Sequence, residues 1–202
     1  MTGATHAQQL GHGAGFREAT AEQQHARAQE LFEQALEAAR GAGDRALEAH
    51  VLTLLGEGHY RLVDPEAAIA LLTEADQLAT RLGDKLLEGA VRRGLAQAQL
   101  LMQEPEVARH HIEKAIALFE AARSQPALAR ALVTRGEIEA AAGEVQRARA
   151  AFEEALEIFE RVGDELGVAD ACSAFATFAS HASGVNVDAE ALATRARKIR
   201  ER

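Results

Sequence analysis

The sequence repeats itself every 40 residues without a gap, and this constrains the fold more than any other feature. Gly-Asp pairs stand at Gly43-Asp44, Gly83-Asp84 and Gly163-Asp164, with Arg123-Ser124 in the remaining place. Four further columns share the period: Ala28, Ala68, Ala108 and Ala148; Phe32, Leu72, Ile112 and Phe152; Ala35, Ala75, Ala115 and Ala155; and Gly56, Ala96, Gly136 and Ala176. Small residues returning in fixed register with large apolar ones mark stacked units, each burying a face on the next.

Within each row the chemistry reads as two helices. The residues Asp44, Asp84, Ser124 and Asp164 are side chains that accept hydrogen bonds from the free N–H groups of a first helical turn. The glycine before three of them suits the left-handed conformation that closes a preceding helix. The second helix opens near Asp64-Pro65, Glu104-Pro105 and Gly143-Glu144, where proline loses no hydrogen bond. Apolar spacing at i, i+3, i+4 and i+7, as in Ala148, Ala151, Phe152, Ala155, Leu156 and Phe159, predicts amphipathic helices. These signals predict helices over 21–41, 44–62, 65–82, 84–102, 105–122, 124–142, 144–162, 164–181 and 187–201. Aromatics are 4% of the chain, Trp is absent and only three Pro occur, so the core is expected from Ala, Leu, Ile and Val.

The run Gly56–Ala68–Leu72–Ala75, with Ala96–Ala108–Ile112–Ala115 and Gly136–Ala148–Phe152–Ala155, resembles the tetratricopeptide repeat (TPR) family, over roughly residues 21 to 182. The first row keeps Ala28–Phe32–Ala35 and the last keeps Ala176, since Arg195 stands at the next Ala position. The period departs from the usual 34. The aromatic places of the first helix are also lost, to Leu52, Arg92, Leu132 and Cys172 and to His59, Gln99, Glu139 and Ala179. Long, aromatic-poor repeats of this kind resemble those of bacterial regulatory proteins. The resemblance implies an all-α, TPR-like right-handed superhelix of antiparallel helical hairpins, an α-α solenoid. The expected organisation is a disordered N-terminal tail at 1–16, a repeat domain at 17–185 and a C-terminal capping helix at 186–202.

In that family the first helix of each pair lines a concave wall. Carried over by position, the wall holds His50, Thr53, Glu57, Tyr60 and Arg61, then Arg93, Gln97, Leu100 and Leu101, then Arg130, Val133 and Glu137, and finally Asp170, Ser173 and Thr177. The implied function is a non-enzymatic interaction module binding a peptide or helix of a protein partner, within a larger bacterial regulator. The alternatives are a ligand- or peptide-sensing domain and a self-assembly unit, dimerising through an end helix. Members that clamp a C-terminal carboxylate use Lys and Asn where this chain has Thr53, Arg93, Val133 and Ser173, then Glu57, Gln97, Glu137 and Thr177, so that ligand is not expected.

Other chemistry finds little support in the residues. The net charge of -9 argues against a nucleic-acid partner, which needs clustered cations. Residues 190 to 202 are locally basic, through Arg195, Arg197, Lys198, Arg200 and Arg202, and read as a solvated last helix with cations at its C-terminal end. Adjacent His110 and His111 point about 100° apart on a helix and cannot share one ion. The segment GHGAGF at 11–16 lacks the lysine of a phosphate loop and reads as a linker. Cys172 is the only cysteine and reads as a buried thiol. No catalytic residue, metal or cofactor is expected, nor a membrane span, and the expected setting is cytoplasmic.

Overall fold

The Gly-Asp pairs act as the sequence suggests. Gly43, Gly83 and Gly163 have φ of +70°, +70° and +72°. Each of the following aspartates then caps a helix. Asp44 accepts from the Leu47 N–H, Asp84 from Leu86 and Leu87, and Asp164 from Gly167. Ser124 departs from this pattern. It occupies the cap position, but its side chain makes no capping hydrogen bond. Pro126 stands second in that helix and has no N–H to donate, which removes one of the two usual partners of a cap. The turn before it has Arg123 at φ +54° instead of glycine.

The computed structural model describes residues 27–182 and 187–202. The expected tail at 1–16, the predicted helix start at 21 and the boundary at 185/186 lie outside these residues. Helix α1 is described over 27–42. It is followed by α2 (Arg45–Arg61), α3 (Pro65–Leu82), α4 (Lys85–Leu101), α5 (Pro105–Ala121), α6 (Gln125–Ala141), α7 (Val145–Val162), α8 (Glu165–His181) and α9 (Ala189–Arg200). No strand occurs among the described residues.

The helices pair as α2/α3, α4/α5, α6/α7 and α8/α9, and each hairpin packs on the next. Consecutive first helices, α2 with α4, α4 with α6 and α6 with α8, also touch. The backbones of consecutive second helices stay farther apart, and long side chains bridge them, as Arg195 of α9 does to Glu160 of α7. The first helices therefore form the inner side of the curve and the second helices splay on the outer side. Helix α9 takes the second place in the fourth hairpin.

The repeat columns are the interior. Ala68, Ala75, Ala108, Ala115, Ala148 and Ala155 are fully buried, as are Leu72, Ile112 and Phe152. Gly56 faces Leu72 and Gly136 faces Phe152, so closely that an added Cβ would lie 2.6 Å and 2.8 Å from those side chains. Phe152 is itself wedged against Phe175 and Phe178, at ring-centroid distances of 5.2 Å and 5.6 Å. The core divides at α4. Val91, Leu95 and Ala98 join a cluster built with α1–α3, whereas Ala96 joins one that runs on to α9.

At this division the outer side of α4 becomes polar. Arg92 occupies the place where Leu52, Leu132 and Cys172 are buried in the other rows. Its Nε lies 2.8 Å from Asp76 Oδ1, in an ion pair too poorly aligned to be a hydrogen bond. The Nδ1 atom of His111 is buried beside them without a partner. Burial pushes His111 down to about 4, and the nearby charges of Arg92, His110 and Lys114 act in the same direction. Burial raises the Asp76 carboxyl; Glu88 adds to this, while Arg92 and Lys114 oppose it.

Three outcomes follow from this packing. Replacing Gly136 by Val should cost about 1–3 kcal/mol in urea unfolding, because the ring of Phe152 has no room to retreat. Val63, a β-branched residue at φ +58° and 70% exposed, should gain up to about 1 kcal/mol on replacement by Gly. His111 should make stability fall between about pH 6.5 and 4. The unfolded chain takes up the proton at the ordinary value, and the folded chain only near pH 4, so stability present above that window is lost on acidification. His111→Leu, which copies Leu71 one row earlier, should flatten unfolding free energy across that window.

Candidate interaction groove

Successive residues on a helix point about 100° apart, and α4 uses this to serve two faces. Arg92 faces outward between α3 and α5, and Arg93 faces the inner side. Spacing of four and then three residues puts Thr53, Glu57 and Tyr60 in line along α2. Arg93, Gln97 and Leu100 are in line along α4, as are Val133, Glu137 and Ala140 along α6.

Arg93 is the centre of the inner face. Its Nη2 donates to Glu57 Oε1 at 2.8 Å and its Nη1 to Gln97 Oε1 at 3.1 Å. The pair is only partly exposed, which makes it stronger than a fully solvated ion pair. Tyr60 stands beside it, half-buried against the N-terminal core. Burial pushes the Tyr60 hydroxyl up, the charge of Glu137 pushes it further, and Arg93 opposes both. Burial likewise raises the Glu137 carboxyl, with Arg93 opposing. The backbones of α2 and α6 do not approach each other, yet Tyr60 of one feels the charge of Glu137 of the other. The wall therefore bends around α4, which is its floor.

Of the residues that the sequence assigns to the wall, Glu57, Tyr60, Arg93, Gln97 and Glu137 come together. Leu100 and Val133 are partly buried against the C-terminal core and expose only an edge, and Leu101 is exposed at the end of α4. Thr53 is buried, and its hydroxyl donates to the Ala49 carbonyl at 2.7 Å. His50 is exposed, with Nδ1 3.0 Å from the Ala46 carbonyl. Arg130 reaches away to Asp164 at 3.2 Å.

The fourth-row residues stand apart. Ser173 and Thr177 bond to their own helix and border a cleft between α8 and α9. Asp170 accepts from Arg200 at 2.9 Å. The basic C-terminal helix is thus less free than its composition suggests. Arg195 also pairs with Glu160 at 2.6 Å, and Arg202 lies 3.9 Å from Glu165. Cys172 is fully buried, and burial raises its thiol, with Arg195 opposing.

Two features escape the sequence reading. One is the Asp76–Arg92–His111 cluster, whose only trace in the sequence is an arginine at a place otherwise filled by Leu or Cys. The other is an apolar cavity of about 230 Å³ between α1 and α2, lined by Phe32, Leu54, Leu55, Leu62 and the expected wall residue Arg61. Among the described residues no group of three His, Cys, Asp or Glu side chains could hold a metal ion. No helix among them is long and apolar enough to cross a membrane.

The sequence matches no family model and no curated protein. Solved structures do share its shape. The crystal structure of BtubC (BKLC) from P. vanneervenii superposes with a TM-score of 0.70 at 20% identity, over 90% of this chain and 75% of that one. A putative kinesin light chain from Podosopora anserina, with nearly identical TPR-like repeats, gives 0.57 at 17% identity, over 91% and 90%. The architecture is accordingly a TPR-like α-α solenoid, a right-handed superhelix of antiparallel hairpins.

Proposed function

We propose that this chain is a non-enzymatic interaction module that receives a segment of a partner protein on the inner face of its superhelix. The observation that carries this is the cluster of Tyr60, Glu57, Arg93, Gln97 and Glu137. It gathers side chains from three separate helices on the floor and walls of one concavity. Partly exposed Leu100 and Val133 add apolar surface beside it. A partly apolar concavity with a few placed polar groups suits capture of side chains from a bound segment. By resemblance of its long, aromatic-poor repeats, the module belongs within a larger bacterial regulator acting in the cytoplasm.

A second reading is self-assembly through the N-terminal end of the stack. Leu31, Leu54, Leu62 and Val63 are exposed there, and Leu54 and Leu62 border the α1–α2 cavity. Light scattering of wild type and of Leu54→Asp/Leu62→Asp addresses it, since a dimer lost in the variant would favour this reading.

The groove itself is tested by Arg93→Glu combined with Leu100→Asp. A partner retained from native lysate by wild type should be lost by the variant, while far-UV circular dichroism stays unchanged. Retention of the same partner by a folded variant would remove the inner face from the reading.

A further inference from the structure

Among the described residues, the buried carboxylates of Glu48 and Glu139 are both paired. Glu48, 3% exposed, is held by Arg40 at 3.0 Å and Arg45 at 2.6 Å. Glu139, 5% exposed, is held by two bonds from Arg109, at 3.1 and 3.0 Å. Two residues before Glu139 on the same helix, Glu137 points the other way. It is partly buried and, among the described residues, has no hydrogen-bond donor or ion-pair partner within reach. The one cation near it, Arg93, is already committed to Glu57 and Gln97. The inner cluster therefore holds two carboxylates for one guanidinium. Partial burial of a carboxylate without a partner costs stability, and among the described residues Glu137 is such a group on the concave wall.

We propose that Glu137 is the specificity-determining residue of the groove, and that it selects a segment presenting a Lys or Arg side chain. This rests on the groove reading above. The cation fits for three reasons. Its charge completes the balance that Glu57, Arg93 and Glu137 leave open. A charge-assisted bond to a partly desolvated carboxylate is stronger than one at an open surface. Finally, the Tyr60 hydroxyl lies within electrostatic reach of the same charge and can accept a hydrogen bond from the cation. Arg93 attracts an acidic side chain only weakly, because Glu57 neutralises it. Glu137 therefore sets the sign of the preference.

The probe is a displayed library of random twelve-residue peptides, selected on the full chain, with Glu137→Gln, Glu137→Lys and Leu100→Asp as comparisons. Peptides selected by wild type should carry Lys or Arg at one fixed position. Glu137→Gln should weaken them roughly tenfold or more, and Glu137→Lys should invert the preference to Asp or Glu. The free Glu137→Gln protein should melt no lower than wild type, since it loses an unpaired carboxylate and no bond. This separates loss of recognition from loss of fold. Peptides that need Leu100 but show no cationic position, and bind Glu137→Gln equally, would overturn the proposal while leaving the groove intact. Peptides indifferent to Leu100→Asp, or no peptides at all, would overturn the groove reading and this proposal with it.

Discussion

Everything in this molecule depends on small residues standing opposite large ones at each hairpin. Where Gly56 meets Leu72 and Gly136 meets Phe152, the two helices of a pair approach closer than any side chain beyond hydrogen would allow. Ala96 and Ala176, at the same column position in the other rows, are buried as well. Close pairs leave little freedom in the crossing of the helices, so each unit presents nearly the same face to the next. Stacking such units lets short, aromatic-poor helices bury a continuous core, although none could do so alone. The curve is a consequence: the backbones of first helices approach across rows, and those of second helices stay farther apart.

That geometry sorts the charges. Carboxylates pressed into the seams are neutralised by arginines from neighbouring helices, as with Glu48 and Glu139. Helix α4 is the exception on both of its sides. Outside, Arg92 replaces an apolar contact and leaves atoms of Asp76 and His111 unmatched. Inside, Arg93 ties α2 to α4 while Glu137 on α6 is unpaired among the described residues. The two hydrophobic clusters also divide at this helix. Residues on the inner face of α4 thus sit at the boundary between the two clusters. The unmatched groups lower stability at the same place where the concavity gathers its polar side chains, a common association for binding sites.

Much of the fold was legible because its determinants are local or periodic. Capping by Asp44, Asp84 and Asp164 needs only the first turn of one helix, and proline at Pro65 and Pro105 needs only its own ring. Ser124 shows the limit: the residue type suits a cap, but Pro126 two places on removes a donor. Of the candidate site, the spacing of Glu57, Tyr60, Arg93, Gln97 and Glu137 along their helices was readable. Their convergence was not. Thr53 shares the column of Arg93 and is buried, while Asp170 shares the column of Arg130 and is taken by Arg200 of α9. Such outcomes depend on which neighbour is within reach, and a column of residue types does not encode distance.

By itself, then, the sequence determined the hairpins, their turns and the stacking register, because backbone geometry and the matching of small with large side chains repeat every 40 residues. Only the tertiary structure decided which charges meet. Curvature brings Tyr60 within range of Glu137 across 77 residues of chain while Arg93 is drawn to Glu57, and Coulomb interactions follow distance in space, not position along the chain.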